Sequence, residues 1–308
     1  MPNRYTRSEI RTQMTGPMTS LATPFNRDGS IDYKSFGRLI EHNLEAGTKT
    51  LMLTVGDSLY ISLSEQEIAD VTKFTVKQNA GRALVIAADR YYNTAQSIEF
   101  AKFAKETGAD VLMVLPPDWA GSCTPQSFVE HYQAVANVMP VMPVTNVLGP
   151  RGMKFGLETI EIMRDTIENI VAIKDDLSGE FCRKLGLLVH DQWAIVCGGQ
   201  KQNHYAAWLY GCDGYLSTFL TLNPKIAHAY WAALQKSDTA EIRRIIRDID
   251  MPFYDLILPM PGGFDAGMHA ALELAGLAKR WRRKPYYSLS DAEMEKFGAE
   301  LKKLTILP

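Results

Sequence analysis

The sequence has few of the features that mark disulfide-rich or membrane proteins. Only four of its 308 residues are cysteines, and Cys123, Cys182, Cys197 and Cys212 have neither C-x-x-C spacing nor the density of a disulfide scaffold. We therefore expect reduced thiols and a cytoplasmic protein. No stretch approaches the ~18 consecutive apolar residues that a transmembrane helix needs, so no membrane partner is expected.

The sequence also lacks a strong charge of either sign. It has 33 basic and 35 acidic residues, which gives a net charge of -2 and no general attraction to nucleic acid. The one basic run, Lys279–Lys284, contains Trp281 and is followed by Pro285. Because it lies between two predicted helices, we interpret it as a solvated connection and expect no nucleic-acid partner.

Signatures of metals and nucleotides are missing as well. The histidines and cysteines are scattered, without the spacing of a zinc site, and no G-x-G-x-x-G follows an early predicted strand. We therefore expect neither a metal nor an organic cofactor. Residues 1–17 carry three arginines but no apolar core of a secretory signal, and we interpret them as an N-terminal arm.

Apolar runs alternate with segments of helical periodicity through most of the chain. Turn residues and capping signals separate them, such as Ser64 with Glu67 three residues later. The eight predicted strands are Met18–Thr23, Thr50–Val55, Ala83–Ala88, Val111–Leu115, Val141–Val144, Ile170–Lys174, Trp193–Cys197 and Asp213–Ser217. Eight strand–helix units in about 220 residues predict an α/β protein, a (β/α)8 TIM barrel over residues 18–236.

From residue 237 onward the pattern predicts helices without strands. These cover Ala240–Ile249, Phe264–Leu277 and a last helix that begins at the capping box of Ser290 and Glu293. Residues 237–308 are therefore expected to form a C-terminal all-helical extension. No linker rich in glycine, serine or proline precedes it, so the barrel and the extension are expected to pack as one body.

Lys174 ends the sixth predicted strand and is followed by Asp175 and Asp176. In a barrel of parallel strands, this end of each strand faces the mouth where active sites are built. A partly desolvated amine at that position is a candidate nucleophile. The alternative is a lysine that turns to solvent and forms an ion pair with Asp175 or Asp176.

Other polar residues follow the remaining strands and are expected to converge on the same mouth. Each of them taken singly is better explained as a structural residue, such as a helix cap or a turn residue. They are Gly56, Asp57, Ser58, Tyr60, Asp89, Arg90, Asp118, Trp119, Thr145, Asn146, Gly198, Gly199 and Ser217.

Several motifs together resemble one family over residues 18–304. They are Thr23-Pro24-Phe25 with Gly29–Asp32, Gly56–Tyr60 with Leu63–Glu67, Asn146 with Arg151, Ile170–Lys174, and Gly211–Ser217. The sequence is similar to the dihydrodipicolinate synthase and N-acetylneuraminate lyase family. The resemblance implies a TIM barrel with a helical extension, a homo-oligomer that is commonly a tetramer or else a dimer, and a lysine that condenses with pyruvate or another 2-oxo acid. The matching lysine is Lys174.

The sequence departs from the family pattern at several places, among them Ala88-Asp89-Arg90 in place of a glycine-rich stretch and Asp118 in place of an aromatic residue. Gly56-Asp57-Ser58-Leu59-Tyr60 stands where the family usually has Gly-Thr-Thr-Gly-Glu, and Thr145 replaces the usual tyrosine. The resemblance therefore identifies a divergent member that lacks the family's proton-relay phenol. We expect a different substrate, or a proton relay through Tyr60, Asp57 or Asp118.

The leading hypothesis is a lyase, aldolase, dehydratase or synthase that forms a Schiff base between Lys174 and a 2-oxo acid. Its catalytic residues are predicted to be Lys174 and Thr145. The predicted substrate-binding residues are Asp57, Ser58, Tyr60, Arg151 and Leu216. The alternative is a non-catalytic or regulatory 2-oxo acid binding protein on the same barrel.

Overall fold

A computed structural model describes residues 3–307 and contains a barrel of eight parallel strands. Each strand is short, and almost every residue in it is buried, as is typical of a parallel sheet covered on both faces. The strands are β1 (Gly16–Ser20), β2 (Thr50–Met52), β3 (Leu84–Ala88), β4 (Val111–Val114), β5 (Val141–Pro143), β6 (Ala172–Asp175), β7 (Ala194–Cys197) and β8 (Gly214–Leu216).

Backbone pairing runs around the barrel and closes it between β5 and β6. The strands are hydrogen-bonded in the order β5-β4-β3-β2-β1-β8-β7-β6. Parallel bridges from Val141 to Ile170 and from Val144 to Lys174 connect the two ends of this order. The predicted fold class is confirmed, and each of the eight predicted strands overlaps the strand found at its position.

Helices surround the barrel and continue beyond it. They are α1 (Arg7–Gln13), α2 (Tyr33–Glu45), α3 (Glu65–Asn79), α4 (Thr94–Thr107), α5 (Pro125–Ala136), α6 (Thr145–Leu148), α7 (Met153–Thr166), α8 (Gly179–Val189), α9 (Lys201–Trp208), α10 (Thr218–Leu222), α11 (Pro224–Gln235), α12 (Thr239–Ile245), α13 (Met251–Ile257), α14 (Gly263–Leu274) and α15 (Asp291–Lys303). None of the helices within residues 3–307 is long and apolar enough to cross a membrane.

The N-terminal helix α1 was not predicted from the sequence. It begins with a capping box in which Thr6 and Glu9 satisfy each other's backbone N–H groups. Ile10 and the following Met14 are buried against the core, and Arg11 forms an ion pair with Asp213 at 2.7 Å. This segment therefore packs onto the barrel directly before β1.

The predicted C-terminal helical region is confirmed, but its first helix continues past the predicted end at Ile249. A π-helical turn, Ile246–Asp250, connects α12 to α13. Pro252 lies in the first turn of α13, where it provides no N–H to the preceding carbonyls. A widened turn before a proline keeps the helical path continuous, so one helical segment runs from Thr239 to Ile257.

A buried ion pair connects this helical segment to the barrel. Lys201, at the start of α9, and Asp250, in the π-helical turn, are both completely buried, with 3.3 Å between Nζ and Oδ1. The backbone N–H of Lys201 also donates to Asp250 Oδ2 at 2.9 Å. The ammonium lies 3.9 Å from the centre of the Phe219 ring. Burial lowers the pKa of Lys201 to about 8 in spite of the carboxylate beside it.

The prediction that the basic run Lys279–Lys284 is a solvated connection was wrong. The guanidinium of Arg282 is buried and paired with Asp265, and Arg280 pairs with Glu273 at 2.6 Å. Arg283 binds both carboxylate oxygens of Glu67, the capping residue of α3, at 2.8 and 2.9 Å. These arginines hold the extension against itself and against the barrel, because Asp265 and Glu273 lie on α14 of the extension and Glu67 lies on α3 of the barrel.

We expect the change Asp250→Leu to destabilise the protein by about 3–5 kcal/mol, because it leaves the Lys201 ammonium buried without a counter-charge. The double change Lys201→Met with Asp250→Leu should recover most of that loss. Urea denaturation measures both values. The control is Asp248→Ala in the same π-helical turn, because the exposed Asp248 carboxylate pairs with Arg247. This change should leave the urea concentration at the unfolding midpoint unchanged. A double variant as unstable as the single one would contradict this account.

Candidate active site

Lys174 lies on β6 beside the closure of the barrel. Its backbone pairs with Val196 of β7 on one side and with Val144 on the other. The residue is 8% exposed, and its ammonium forms an ion pair with the Asp176 carboxylate. The amine lies at the mouth of the barrel and is paired with a neighbouring aspartate, but it does not turn to solvent as the alternative expected.

Asp175 fixes the turn that follows Lys174. Its carboxylate accepts hydrogen bonds from the hydroxyl of Thr145 at 3.0 Å, and from the backbone N–H groups of Leu177 and Ser178 at 3.3 and 3.1 Å. The same Thr145 hydroxyl accepts from the backbone N–H of Asp176 at 2.9 Å. Thr145 thus holds the two residues that follow the lysine, and through them it positions the Asp176 carboxylate.

A cavity of about 320 Å³ opens over the Lys174 amine. Residues that follow β1, β2, β6, β7 and β8 form one part of its wall, and the C-terminal extension forms the rest. Its lining residues are Ser20, Ala22, Asp57, Lys174, Asp175, Asp176, Ser178, Gly198, Gly199, Gln200, Asn203, Leu216, Ser217, Thr218, Thr221, Tyr254, Leu258, Phe264, Asp265, Met268 and His269.

The structure brings three of the seven predicted site residues to this cavity, namely Lys174, Asp57 and Leu216. Ser58 is buried below it, where its hydroxyl donates to the carbonyl of Leu21 at 2.6 Å and accepts from the N–H of Thr54 at 3.0 Å. Ser58 therefore supports the turn after β2 and does not line the cavity.

Tyr60 and Arg151 also lie away from the cavity. Tyr60 is completely buried, and burial raises the pKa of its phenol. The Arg151 guanidinium donates to Asp118 at 2.5 Å and to the carbonyl of Cys123 at 3.1 Å. Thr145 is fully buried too, and its contacts are with Asp175 and Asp176. Asp89, another candidate, is buried, and burial raises its pKa to about 7.

Two features of the site were not predicted from the sequence. The direction of Asp176 could not be read from its position two residues after Lys174. The wall formed by α13 and α14 was not predicted, because only residues that follow strands were expected at the mouth of the barrel. A periodic pattern in Phe264–Leu277 predicted the helix there, but it contained no signal that Phe264, Met268 and His269 face the mouth of the barrel.

The fold and the site define a TIM-barrel protein with a lysine at the end of its sixth strand. The sequence profile of the dihydrodipicolinate synthetase family matches residues 13–304, and the chain belongs to this family. It is 30% identical to the 4-hydroxy-tetrahydrodipicolinate synthase of Psychrobacter sp. (strain PRwf-1), with 97% of this chain and 99% of the relative covered. It is 32% identical to the enzyme of that name from Exiguobacterium sibiricum, with 90% and 93% covered.

Solved structures agree with the fold. Dihydrodipicolinate synthase from Oceanobacillus iheyensis superposes with a TM-score of 0.85 at 21% identity, over 97% of this chain and 99% of that one. A prophage protein of the dihydrodipicolinic acid synthase family from E. coli K12, solved in complex with pyruvate, superposes with a TM-score of 0.80 at 21% identity, over 95% and 99%.

We expect Thr145→Val to lower the free energy of unfolding by about 1–3 kcal/mol, because it leaves Asp175 without one donor and the Asp176 N–H without its acceptor. Thr145→Ser should stay close to the parent protein, since it keeps the hydroxyl. Thr166→Val is the matched control, because that hydroxyl is exposed and bonds only within α7. Chemical denaturation is the measurement, and equal stability of the Val and Ser variants at position 145 would contradict the assigned contacts.

Proposed function

We propose that this protein is a lyase that forms a Schiff base between Lys174 and pyruvate or another 2-oxo acid. The observation that carries the proposal is the Lys174 amine, which lies at the end of β6 in a cavity and contacts a carboxylate. Membership of a family whose curated relatives are synthases supports it, as does the pyruvate bound by the structural relative from E. coli K12. A protonated imine would then act as the electron sink for making or breaking a bond at the next carbon.

Asp176 takes the place of the missing phenol in this proposal. Its carboxylate first removes a proton from the Lys174 ammonium, and the free amine attacks the keto carbon to form a C–N bond. The resulting carboxylic acid protonates the new alkoxide. The regenerated carboxylate then takes one of the two protons on the positively charged nitrogen. It delivers this proton to the new hydroxyl, which leaves as water while the C=N bond forms. Asp176 ends as a carboxylate beside the iminium, so protons and charge balance.

Thr145 has a supporting part in this mechanism. A threonine hydroxyl is a far weaker acid than a phenol, and here it is engaged by Asp175 and by the N–H of Asp176. It therefore orients Asp176 towards the amine, as a positioning residue. Asp57 and Leu216, which line the same cavity, are proposed to contact the substrate.

Reduction with borohydride in the presence of pyruvate and a panel of 2-oxo acids should give a covalent adduct, detected by intact-mass spectrometry and mapped to Lys174. The adduct should disappear in Lys174→Ala and persist in Lys184→Ala, whose amine is half exposed on α8. A non-catalytic binding protein would instead give no adduct, and its ligand would still raise the melting temperature reversibly in Lys174→Ala. These two results together would contradict the proposal.

Asp176→Asn should slow imine formation about 10²-fold, because the amide neither removes nor delivers the protons. Asp176→Glu should recover part of the rate, since it retains a carboxylate. Quenching the reaction with borohydride at timed intervals measures the rate of imine formation. Asp165→Asn on the exposed end of α7 serves as the control. If the Asn variant formed the imine as fast as the parent protein, Asp176 would not be the proton carrier.

A further inference from the structure

Two cysteines and an aspartate that are scattered along the sequence meet behind the end of β6. Asp175 of β6 and Cys197 of β7 are paired in register, so their side chains leave the sheet on the same face. Cys182 lies on α8, the helix that connects these two strands. A carboxylate oxygen of Asp175 and the sulfur atoms of Cys182 and Cys197 all lie within 4.8 Å of one another. The fold thus brings three possible metal ligands together from three separate elements.

The cluster is buried, and it contains a carboxylate without a basic partner. Asp175, Cys182 and Cys197 are 2%, 4% and 3% exposed, and both cysteines are free thiols. Lys174 pairs with Asp176, and no lysine or arginine within residues 3–307 forms an ion pair with Asp175. Since buried charges in proteins are usually paired or coordinate a metal, the position of this carboxylate beside two thiols favours a bound cation.

Asp175 retains the capacity to bind an ion. Its carboxylate accepts three hydrogen bonds, from the Thr145 hydroxyl and from the backbone N–H groups of Leu177 and Ser178. A carboxylate has about four lone-pair sites, so one remains. Asp175 also lines the cavity over Lys174, which gives an ion a route from solvent. A cation can therefore reach Asp175 and bind it without breaking the contacts that hold the turn after β6.

A third sulfur atom lies beside the cluster. Cys212, which precedes β8, is 3% exposed, and its sulfur is 3.2 Å from that of Cys197. The Cys212 thiol also lies within reach of the carbonyls of Ile195 and Gly214, at 3.4 and 3.3 Å. It is not part of the group whose donor atoms all lie within 4.8 Å of one another. Cys212 is therefore placed to donate a hydrogen bond to the Cys197 sulfur, the kind of contact that orients a metal ligand.

The sulfur ligands decide the class of metal. Thiolates favour zinc and other thiophilic ions over magnesium and calcium, which prefer oxygen donors. Zinc accepts cysteine and aspartate together, with ligand atoms about 3–4 Å apart, so rotations that move these atoms by about 1 Å complete the site. When Zn²⁺ binds, Cys182 and Cys197 each form a Zn–S bond and release one proton to solvent. The two charges of the ion replace those of two protons, so the net charge of the buried cluster does not change.

We propose that Asp175, Cys182 and Cys197 form a binding site for Zn²⁺ or another thiophilic divalent cation, with Cys212 as the hydrogen-bond donor to the Cys197 sulfur. The ion connects β6, β7 and α8 directly behind Lys174 and stabilises the fold there. The expectation that the protein binds no metal came from spacing along the sequence, which does not detect ligands that meet only in the fold. The site is independent of the imine chemistry proposed for Lys174.

Equilibrium dialysis of the full-length protein tests this site. The protein is prepared in reductant, freed of metal with a chelator and dialysed against Zn²⁺. We expect each chain to bind a single zinc ion. The melting temperature should rise by about 5 °C at a free Zn²⁺ concentration about 100 times the dissociation constant, because the ion binds the folded state.

Cys182→Ser and Cys197→Ser should each lower the affinity for Zn²⁺ at least about 100-fold, because each removes a direct ligand, whereas Cys212→Ser should lower it about tenfold. Cys123→Ser is the matched control, since the Cys123 sulfur lies 3.3 Å from the carbonyl of Pro117 in the loop after β4. This variant should bind Zn²⁺ like the parent protein. Absence of zinc binding in the parent protein, or equal affinity in the parent protein and in both ligand variants, would overturn the site.

Cobalt substitution gives an answer even where a serine variant fails to fold. Co²⁺ bound by thiolates in the parent protein should show sulfur-to-cobalt charge-transfer absorption in the near ultraviolet, and Cys123→Ser should show the same spectrum. Failure of Co²⁺ to give this absorption, or its disappearance in Cys123→Ser, would also overturn the proposal.

Discussion

The closure of the barrel between β5 and β6 is the constraint on which the site depends. The bridges from Val141 to Ile170 and from Val144 to Lys174 join the two ends of the strand order, and the second of them includes the lysine itself. The backbone of Lys174 is therefore held on both sides, by Val144 and by Val196 of β7. A nucleophile on a rigid strand end is oriented by the fold before any ligand enters, which is what covalent catalysis requires.

The turn after β6 is held by Thr145, one of the residues at which the sequence departs from the family pattern. Thr145 stands where a tyrosine is usual, and its hydroxyl holds Asp175 and the N–H of Asp176. Asp176 in turn contacts the Lys174 ammonium. In the proposed mechanism, a carboxylate beside the amine supplies acid–base chemistry that a threonine hydroxyl cannot, and the contacts of Thr145 hold that carboxylate in place.

The sequence predicted the eight strands and the position of Lys174 near the end of the sixth, because both depend on local signals. Buried strands are continuous apolar runs, and the capping box of Ser64 and Glu67 is visible in four residues. What could not be predicted depends on contacts between residues distant in sequence. Arg282 was expected in solvent, whereas its partner Asp265 lies on α14, and His269 gave no sign that it lines the same cavity as Lys174.

The capping box of Thr6 and Glu9 was available in the sequence and would have located helix α1. The predicted helix ended at Ile249, whereas the π-helical turn before Pro252 lets the helical path continue to the wall of the cavity. The extension therefore has two roles. It packs onto the barrel through Lys201 and Asp250, and it supplies side chains to the candidate active site.

A crystal structure of the protein soaked with pyruvate tests the central claim most directly. We expect continuous electron density from Nζ of Lys174 to the second carbon of the ligand, with the Asp176 carboxylate within hydrogen-bond distance of the imine nitrogen. Pyruvate bound without a covalent link, or bound elsewhere while Lys174 stays paired with Asp176, would contradict it.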